Sequence, residues 1–242
     1  MTRFSARMAQ AAKRKKSRII LAVDPRPGTK NLKLFARKAV REVAGHVCGI
    51  KVNFHLLLPL SGREMSGITR LAHSYGLVCI ADIKLNDIDS TNKAAVAHLA
   101  AMGFDAVIAN PFMGAATLAS LVKEARRMDL GVIALVYMSH PDAKEGYGLE
   151  ARQGAVYEMF LERAVKAGAD GAVVGATQAD ILRKVRGRLP VYSPGVGAQG
   201  GDVEQAVRNG SDYLIVGRSI IEADDAAGVA REMNSKARSA RP

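Results

Sequence analysis

TNKAAVAHLAAMGFDAVIAN, residues 91–110, holds the unit from which the whole chain is built. Small apolar residues recur at helical spacing as far as Met102, Gly103 ends the helix, and Asp105 leads into the short run AVIAN. A glycine just past the last helical turn takes the left-handed conformation freely, so the chain can reverse into a strand. The same turn recurs as Gly168-Ala169-Asp170 and Gly210-Ser211-Asp212, each ahead of another apolar run. Outward from this unit the strand candidates are 18–24, 47–53, 77–84, 106–110, 131–138, 171–176, 190–195 and 213–219. Such near-continuous apolar runs suit parallel strands buried on both faces. Helical patterns lie between them, for example at 30–44, 91–102, 114–128 and 154–167. Eight β-α units in 242 residues predict an α/β fold, a (β/α)8 TIM barrel, whose usual size is about 250 residues. A doubly wound sheet is the rival. No linker or composition break divides the chain, so one catalytic domain is expected over residues 18–238, behind a basic extension over residues 1–17.

The chain is 48% hydrophobic and 24% charged, the make-up of an ordinary globular protein, which excludes a disordered tail, a fibrous repeat and a disulfide scaffold. Its net charge of +12 raises the question of a nucleic-acid partner, and the position of the charge answers it. Seven bases and no acid precede Asp24, residues from 231 onward add +3, and the body carries only +2. A nucleic-acid surface would interleave bases with stacking aromatics. Aromatic residues are 5%, Trp is absent, and residues 1–18 contain only Phe4, so no nucleic-acid partner is expected. No apolar run approaches the ~20 residues of a membrane span, so no membrane partner is expected either. The basic start lacks the hydrophobic region of a secretory signal, and a cytoplasmic enzyme is the expectation. Cys48 (VCGIKV) and Cys79 (LVCIAD) read as buried free thiols, and the five histidines show no ligand spacing, so no metal site is expected.

In a barrel of this kind the active site lies at the C-terminal ends of the strands. Those ends carry Asp24, Lys51 with Asn53, Asp82 with Lys84, Asn110, Ser139, Pro194, and Gly217 with Arg218. Charges inside apolar strands are costly unless paired. Asp82 and Lys84 are two apart and share a face, which must be the lumen if they serve a site. The same parity turns Lys51 inward, and Cys48 and Cys79 outward to the helices. Neighbouring strands would then bring Lys51, Asp82 and Lys84 together, with Asp87 just beyond as a fourth charge of alternating sign. A structural ion-pair network is the plain alternative. Gly195-Val196-Gly197-Ala198-Gln199-Gly200 satisfies the dinucleotide-binding pattern, but it follows the seventh strand rather than the first. It reads better as a phosphate loop, because barrels bind phosphate with the loops after strands seven and eight, and Arg218 adds a fork of permanent donors.

The string Asp82-Ile83-Lys84-Leu85-Asn86-Asp87 resembles that of the orotidine 5′-phosphate decarboxylase family, and the resemblance runs from the first strand to the last. It is carried by LAVD (21–24), GIKVN (49–53), DIKLNDIDSTN (82–92), MSHP (138–141), SPGVGAQGG (193–201) and VGRSI (216–220). The resemblance implies a cofactor-free, metal-free decarboxylase that converts orotidine 5′-phosphate to UMP and CO2. It implies catalysis by Lys84, Asp82, Asp87 and Lys51, with Lys84 as proton donor and Asp82 beside the departing carboxylate. Asp24, Lys51, Thr91, Ser139, Pro194, Gln199, Gly217 and Arg218 would bind substrate, the last two with Gln199 on the 5′-phosphate, under a closing segment 194–202. Asp87 and Thr91 would reach the neighbouring subunit, which implies a homodimer with shared sites. Asn53 replaces a common glycine, Asp89 stands where many relatives carry proline, and the loop Pro25-Arg26-Pro27-Gly28 is unusual. Sibling metal-dependent sugar-phosphate enzymes share the Asp-x-Lys-x-x-Asp string but carry an acid in place of Lys51.

Overall fold

All eight apolar runs form strands: β1 (Ile19–Ala22), β2 (Gly49–Asn53), β3 (Val78–Leu85), β4 (Ala106–Ala109), β5 (Gly131–Tyr137), β6 (Gly171–Val174), β7 (Val191–Pro194) and β8 (Tyr213–Val216). In the computed structural model, which describes residues 2–152 and 154–240, they pair in parallel in sequence order and β8 closes onto β1. The fold is therefore the (β/α)8 barrel, and the doubly wound alternative falls. Around it run helices α1 (Arg3–Lys15), α2 (Leu32–Val43), α3 (Gly62–Ser74), α4 (Asp89–Ala101), α5 (Ala115–Arg127), α6 (Val156–Ala167), α7 (Ala179–Val185), α8 (Val203–Asn209) and α9 (Ala226–Ser239). A two-stranded antiparallel hairpin, Glu150–Ala151 with Gly154–Ala155, sits between β5 and α6.

Strand alternation divides the core into two layers. Leu21, Ile50, Cys79, Val107 and Leu214 pack outward with helix residues such as Val40, Ile68 and Leu118. Ile20, Ile80, Ile108, Leu135, Val173 and Ile215 fill the lumen. Bulky branched residues there make the barrel a packed core with no pore.

The floor of the barrel shows why the Gly-x-Asp turn recurs. Each of its aspartates clamps the strand before it at two points. Asp105 N–H donates to the Cys79 carbonyl at 2.8 Å, and its carboxylate accepts the Cys79 N–H at 2.8 Å. Asp170 does the same with Val132, at 2.7 and 2.9 Å, and Asp212 with Val191, at 3.0 and 3.0 Å. The fourth station, ahead of β2, is Cys48. Its N–H donates to the Ile19 carbonyl at 2.8 Å, while the Ile19 N–H donates to the Ser17 hydroxyl at 3.1 Å. Cys48 thus occupies an aspartate's place and packs with Ile20, Ile80 and Tyr192 in the lumen, contrary to the outward position expected from parity. Alternation counted back from Lys51 breaks at Gly49, where the strand begins; Cys79, inside β3, faces the helices as expected. Burial pushes the Cys48 thiol up to about 12, so it is an inert packing group.

The residues ahead of β1 form α1, which lies across this floor. Thr2 caps it, accepting the Ser5 N–H, and Phe4, Met8 and Ala11 are buried along one face. Phe4 sits so close to β5 that a side chain at Gly131 would lie 2.4 Å from its ring. Thr2 donates to the Asp170 carboxylate, and Arg7 pairs with Asp105 at 3.3 Å and Asp129 at 2.6 Å. The basic segment is thereby bound to two of the three floor clamps.

Candidate active site

At the opposite end of the barrel a cavity of about 240 Å³ opens among the strand ends. Asp24, Lys51, Asn53, Asp82, Lys84, Ser139, Pro194, Gly217 and Arg218 all line it from their strand ends, joined by Gln199 of the glycine loop, whereas Asn110, also at a strand end, does not. Ala22, Ile108, Leu135, Val173 and Ile215 form its apolar base. Asp87 and Thr91 do not join. Both are exposed outside the cavity of their own chain, and the Asp87 carboxylate accepts the Ile88 N–H at 2.7 Å. Within the chain the alternating array stops at three charges.

Those three are tightly built. Asp82 Oδ2 accepts from Lys51 Nζ at 2.9 Å and Asp82 Oδ1 from Lys84 Nζ at 2.9 Å. Lys51 and Asp82 are buried, whereas the Lys84 side chain is 38% exposed toward the cavity mouth. Burial by itself would raise the Asp82 pKa, but the charges of Lys51 and Lys84, and the hydrogen bonds they donate, outweigh it and hold the carboxyl below its ordinary value. Asp82 is an anion under working conditions, with both oxygens engaged by ammonium groups.

Lys84 reaches this place through irregular backbone. Its φ of 46° is left-handed, and the register of β3 on β4 slips between Ala81 and Leu85. A non-glycine residue there costs about 1–2 kcal/mol, and such irregularities near sites re-aim a side chain. Periodicity finds the shared face of Asp82 and Lys84 but gives no sign of this bend.

The glycine loop after β7 closes the far side. Gly197 N–H donates to Gly201 O at 2.8 Å, Gly200 N–H to Gly197 O at 2.7 Å, and Gly201 N–H to Gly195 O at 3.0 Å. Ala198 N–H donates to the Ser219 hydroxyl at 2.9 Å. Gly197 has a φ of 75°, and a Cβ on it would lie 2.3 Å from that hydroxyl oxygen, so glycine is required on both counts. Four of the loop's amides are thus used to shape it. Gln199 and Arg218 line this end of the cavity and supply its side-chain donors.

Two participants were missed from sequence, as was the role of a third. Asn53, placed there at a strand end but given no role, donates from Nδ2 to Asp24 Oδ1 at 2.6 Å and accepts from Lys51 Nζ. His140, noted there only as lacking ligand spacing, lines the cavity, and Ser219 pins the loop. Asn53 had a signal, since it lies two residues from Lys51 on the same strand face. Ser219 had none, because its partner is 21 residues away. Among the described residues the one group of three side chains able to hold a metal, His73, Cys79 and Asp105, lies at the floor, outside this cavity.

The model of the orotidine 5′-phosphate decarboxylase / HUMPS family matches residues 17–233. The chain is 34% identical to an orotidine 5′-phosphate decarboxylase of Methanococcoides burtonii, over 90% of this chain and 96% of that protein. It is 33% identical to one from Pyrococcus abyssi, over 91% and 99%. The solved structure of orotidine 5′-phosphate decarboxylase from Pyrococcus horikoshii superimposes with a TM-score of 0.75 at 31% identity, covering 91% of this chain and 99% of that one. With the family model matched over residues 17–233, the barrel in common and relatives about one-third identical over nearly their whole length, the chain belongs to the orotidine 5′-phosphate decarboxylase / HUMPS family.

Proposed function

We propose that the chain is a carboxy-lyase acting on orotidine 5′-phosphate, releasing CO2 and leaving UMP, with no cofactor. The observation that carries this reading is Asp82 held between Lys51 and Lys84 in the cavity. When the bond from C6 of the pyrimidine to its carboxylate breaks, the electron pair stays on C6, where no carbonyl delocalises it. The protein must favour that charge electrostatically and supply a proton. Lys84 does both: its ammonium attracts the developing negative charge, and its Nζ–H then protonates C6. Asp82, fixed as an anion, stands beside the substrate carboxylate, so repulsion between them falls as CO2 departs. Lys51 holds Asp82 in place and, with Asp24, binds the ribose hydroxyls. Ser139 and Gln199 meet the pyrimidine, Pro194 lines its pocket, and Gln199, Gly217 and Arg218 take the 5′-phosphate. Binding energy gathered at that remote phosphate serves to close segment 194–202 and orient the reacting ring.

The family's name also covers sugar-phosphate enzymes, and Lys51 separates the two readings. An acid at that place beside Asp82 would offer a dication two carboxylates, whereas Lys51 and Lys84 repel one. Decarboxylation, followed by the absorbance change of orotidine 5′-phosphate, therefore proceeds equally with and without EDTA. Lys84→Ala lowers kcat at least a thousandfold while UMP still binds; retained turnover in that variant overturns the assignment. We also assign Asp87 and Thr91 to the site of a second subunit in a cytoplasmic homodimer, which accounts for their exposure beside, and outside, their own cavity. No described helix is long and apolar enough to cross a membrane.

A further inference from the structure

The hydrogen-bonded chain that begins at Lys84 does not end at Lys51. Lys51 Nζ also donates to Asn53 Oδ1, and Asn53 Nδ2 donates to Asp24 Oδ1 at 2.6 Å. The Asn53 amide stands between an ammonium and a carboxylate that would otherwise attract each other directly in a site partly withdrawn from water. Each neighbour fixes its orientation, since the ammonium has only protons to give and the carboxylate only lone pairs. A direct Asp24–Lys51 pair would draw Lys51 off Asp82 and cover the Asp24 carboxylate. With the amide in place Asp24 Oδ1 is taken, and His55 Nε2 stands 4.0 Å from the same oxygen. Asp24 Oδ2 lies on the Gly217 side, 3.3 Å from where a side chain there would begin, toward the phosphate end of the cavity.

We infer that Asn53 is a positioning residue, a neutral spacer that keeps Asp24 off Lys51 so that Asp24 presents one carboxylate oxygen to a sugar hydroxyl while Lys51 stays on Asp82. This rests on the nucleotide reading of the cavity. The test measures dissociation constants for UMP, 2′-deoxy-UMP and 3′-deoxy-UMP in wild type, Asn53→Ala, the isosteric Asn53→Asp, Asp24→Ala and the Asp24→Ala/Asn53→Ala double variant, with thermal melting to verify folding. Wild type prefers UMP over at least one deoxynucleotide. In Asn53→Ala that preference falls about tenfold, the worth of a hydrogen bond to a charged group. It falls at least as far in Asn53→Asp, where a second carboxylate faces Asp24. The double variant matches Asp24→Ala, because Asn53 acts through Asp24. A merely structural defect would weaken all three nucleotides alike, and an unchanged preference in both Asn53 variants overturns the inference while leaving the enzyme's assignment intact. A wild type that neither binds UMP nor turns over orotidine 5′-phosphate overturns the nucleotide reading, and this inference with it.

Discussion

Asp82 has both oxygens on lysines, but the two contacts differ in worth because they differ in exposure. Lys51 is 4% exposed; without Asp82 it is an unpaired buried ammonium. Asp82→Asn therefore costs about 3 kcal/mol of stability at pH 7. The Lys84 side chain is over a third exposed, so Lys84→Ala costs under about 1 kcal/mol although it removes the proposed proton donor. Urea unfolding of the two variants checks the contrast. It has a pH signature. Folding lowers the Asp82 pKa, so its contribution is complete above the unfolded-chain value of about 3.9 and is lost as pH falls through the lower folded value. The gap between wild type and Asp82→Asn accordingly narrows below about pH 4 and is constant between pH 5 and 8.

Among the elements, the floor clamps and α1 carry stability at a distance from the chemistry. Asp170 is 3% exposed and accepts from Val132 N–H, Thr2 and Ser5, so it ties β5, β6 and α1 together. Asp170→Ala strands those donors and costs about 2 kcal/mol. Phe4→Ala empties the space against Gly131 and costs about 3–4 kcal/mol. Both variants melt earlier by circular dichroism yet keep the wild-type KM at temperatures where they are folded, because the cavity opens at the other end of the barrel. The Gly-x-Asp turns were legible as helix ends, and Gly103, Gly168 and Gly210 do have positive φ. That their aspartates also latch strand to strand was not legible, since each partner lies 21 to 38 residues back. Nor was α1, whose few apolar residues among many bases read as an extension until a floor existed for Phe4 and Met8 to cover.

At the scale of the molecule the +12 charge is polarised rather than spread. Helix C-termini point to the floor, and their last turns hold Lys13, Arg14 and Lys15 in α1, Arg126 and Arg127 in α5, Arg183 and Lys184 in α7, and Lys236 and Arg238 in α9. First turns at the cavity end hold Glu64, Asp89, Glu158, Asp180 and Glu204. Each sign complements the dipole of its own helix. The proposed anionic substrate is thus met by local groups that line the cavity, Arg218 and two lysines, with the excess positive charge of the chain in its terminal segments. The proposed dimer makes a prediction of its own. Ile88 is 67% exposed beside Asp87, an apolar side chain fit to be covered by a second copy. Inactive Lys84→Ala and Asp87→Ala proteins, mixed, unfolded and refolded together, regain about a quarter of wild-type activity, because half the dimers are hybrids and each hybrid has one complete site. No regain would show that the sites are not shared.

The order of apolar runs and Gly-x-Asp turns settled the eight-unit barrel, because strand burial and helix termination are local matters of side-chain type and backbone freedom. The strand-end rule then assigned nine of the cavity's residues, since a parallel barrel sends every strand's C-terminal end to one face. What tertiary structure alone decided was contact between distant residues and the exact aim of side chains. It turned Cys48 inward at a strand start, bent β3 at Lys84, spent four of the glycine loop's amides on holding its shape, and set Asn53 between Asp24 and Lys51. Each of these depends on which atoms the closed barrel brings within hydrogen-bonding reach, a fact that exists only once β8 has met β1.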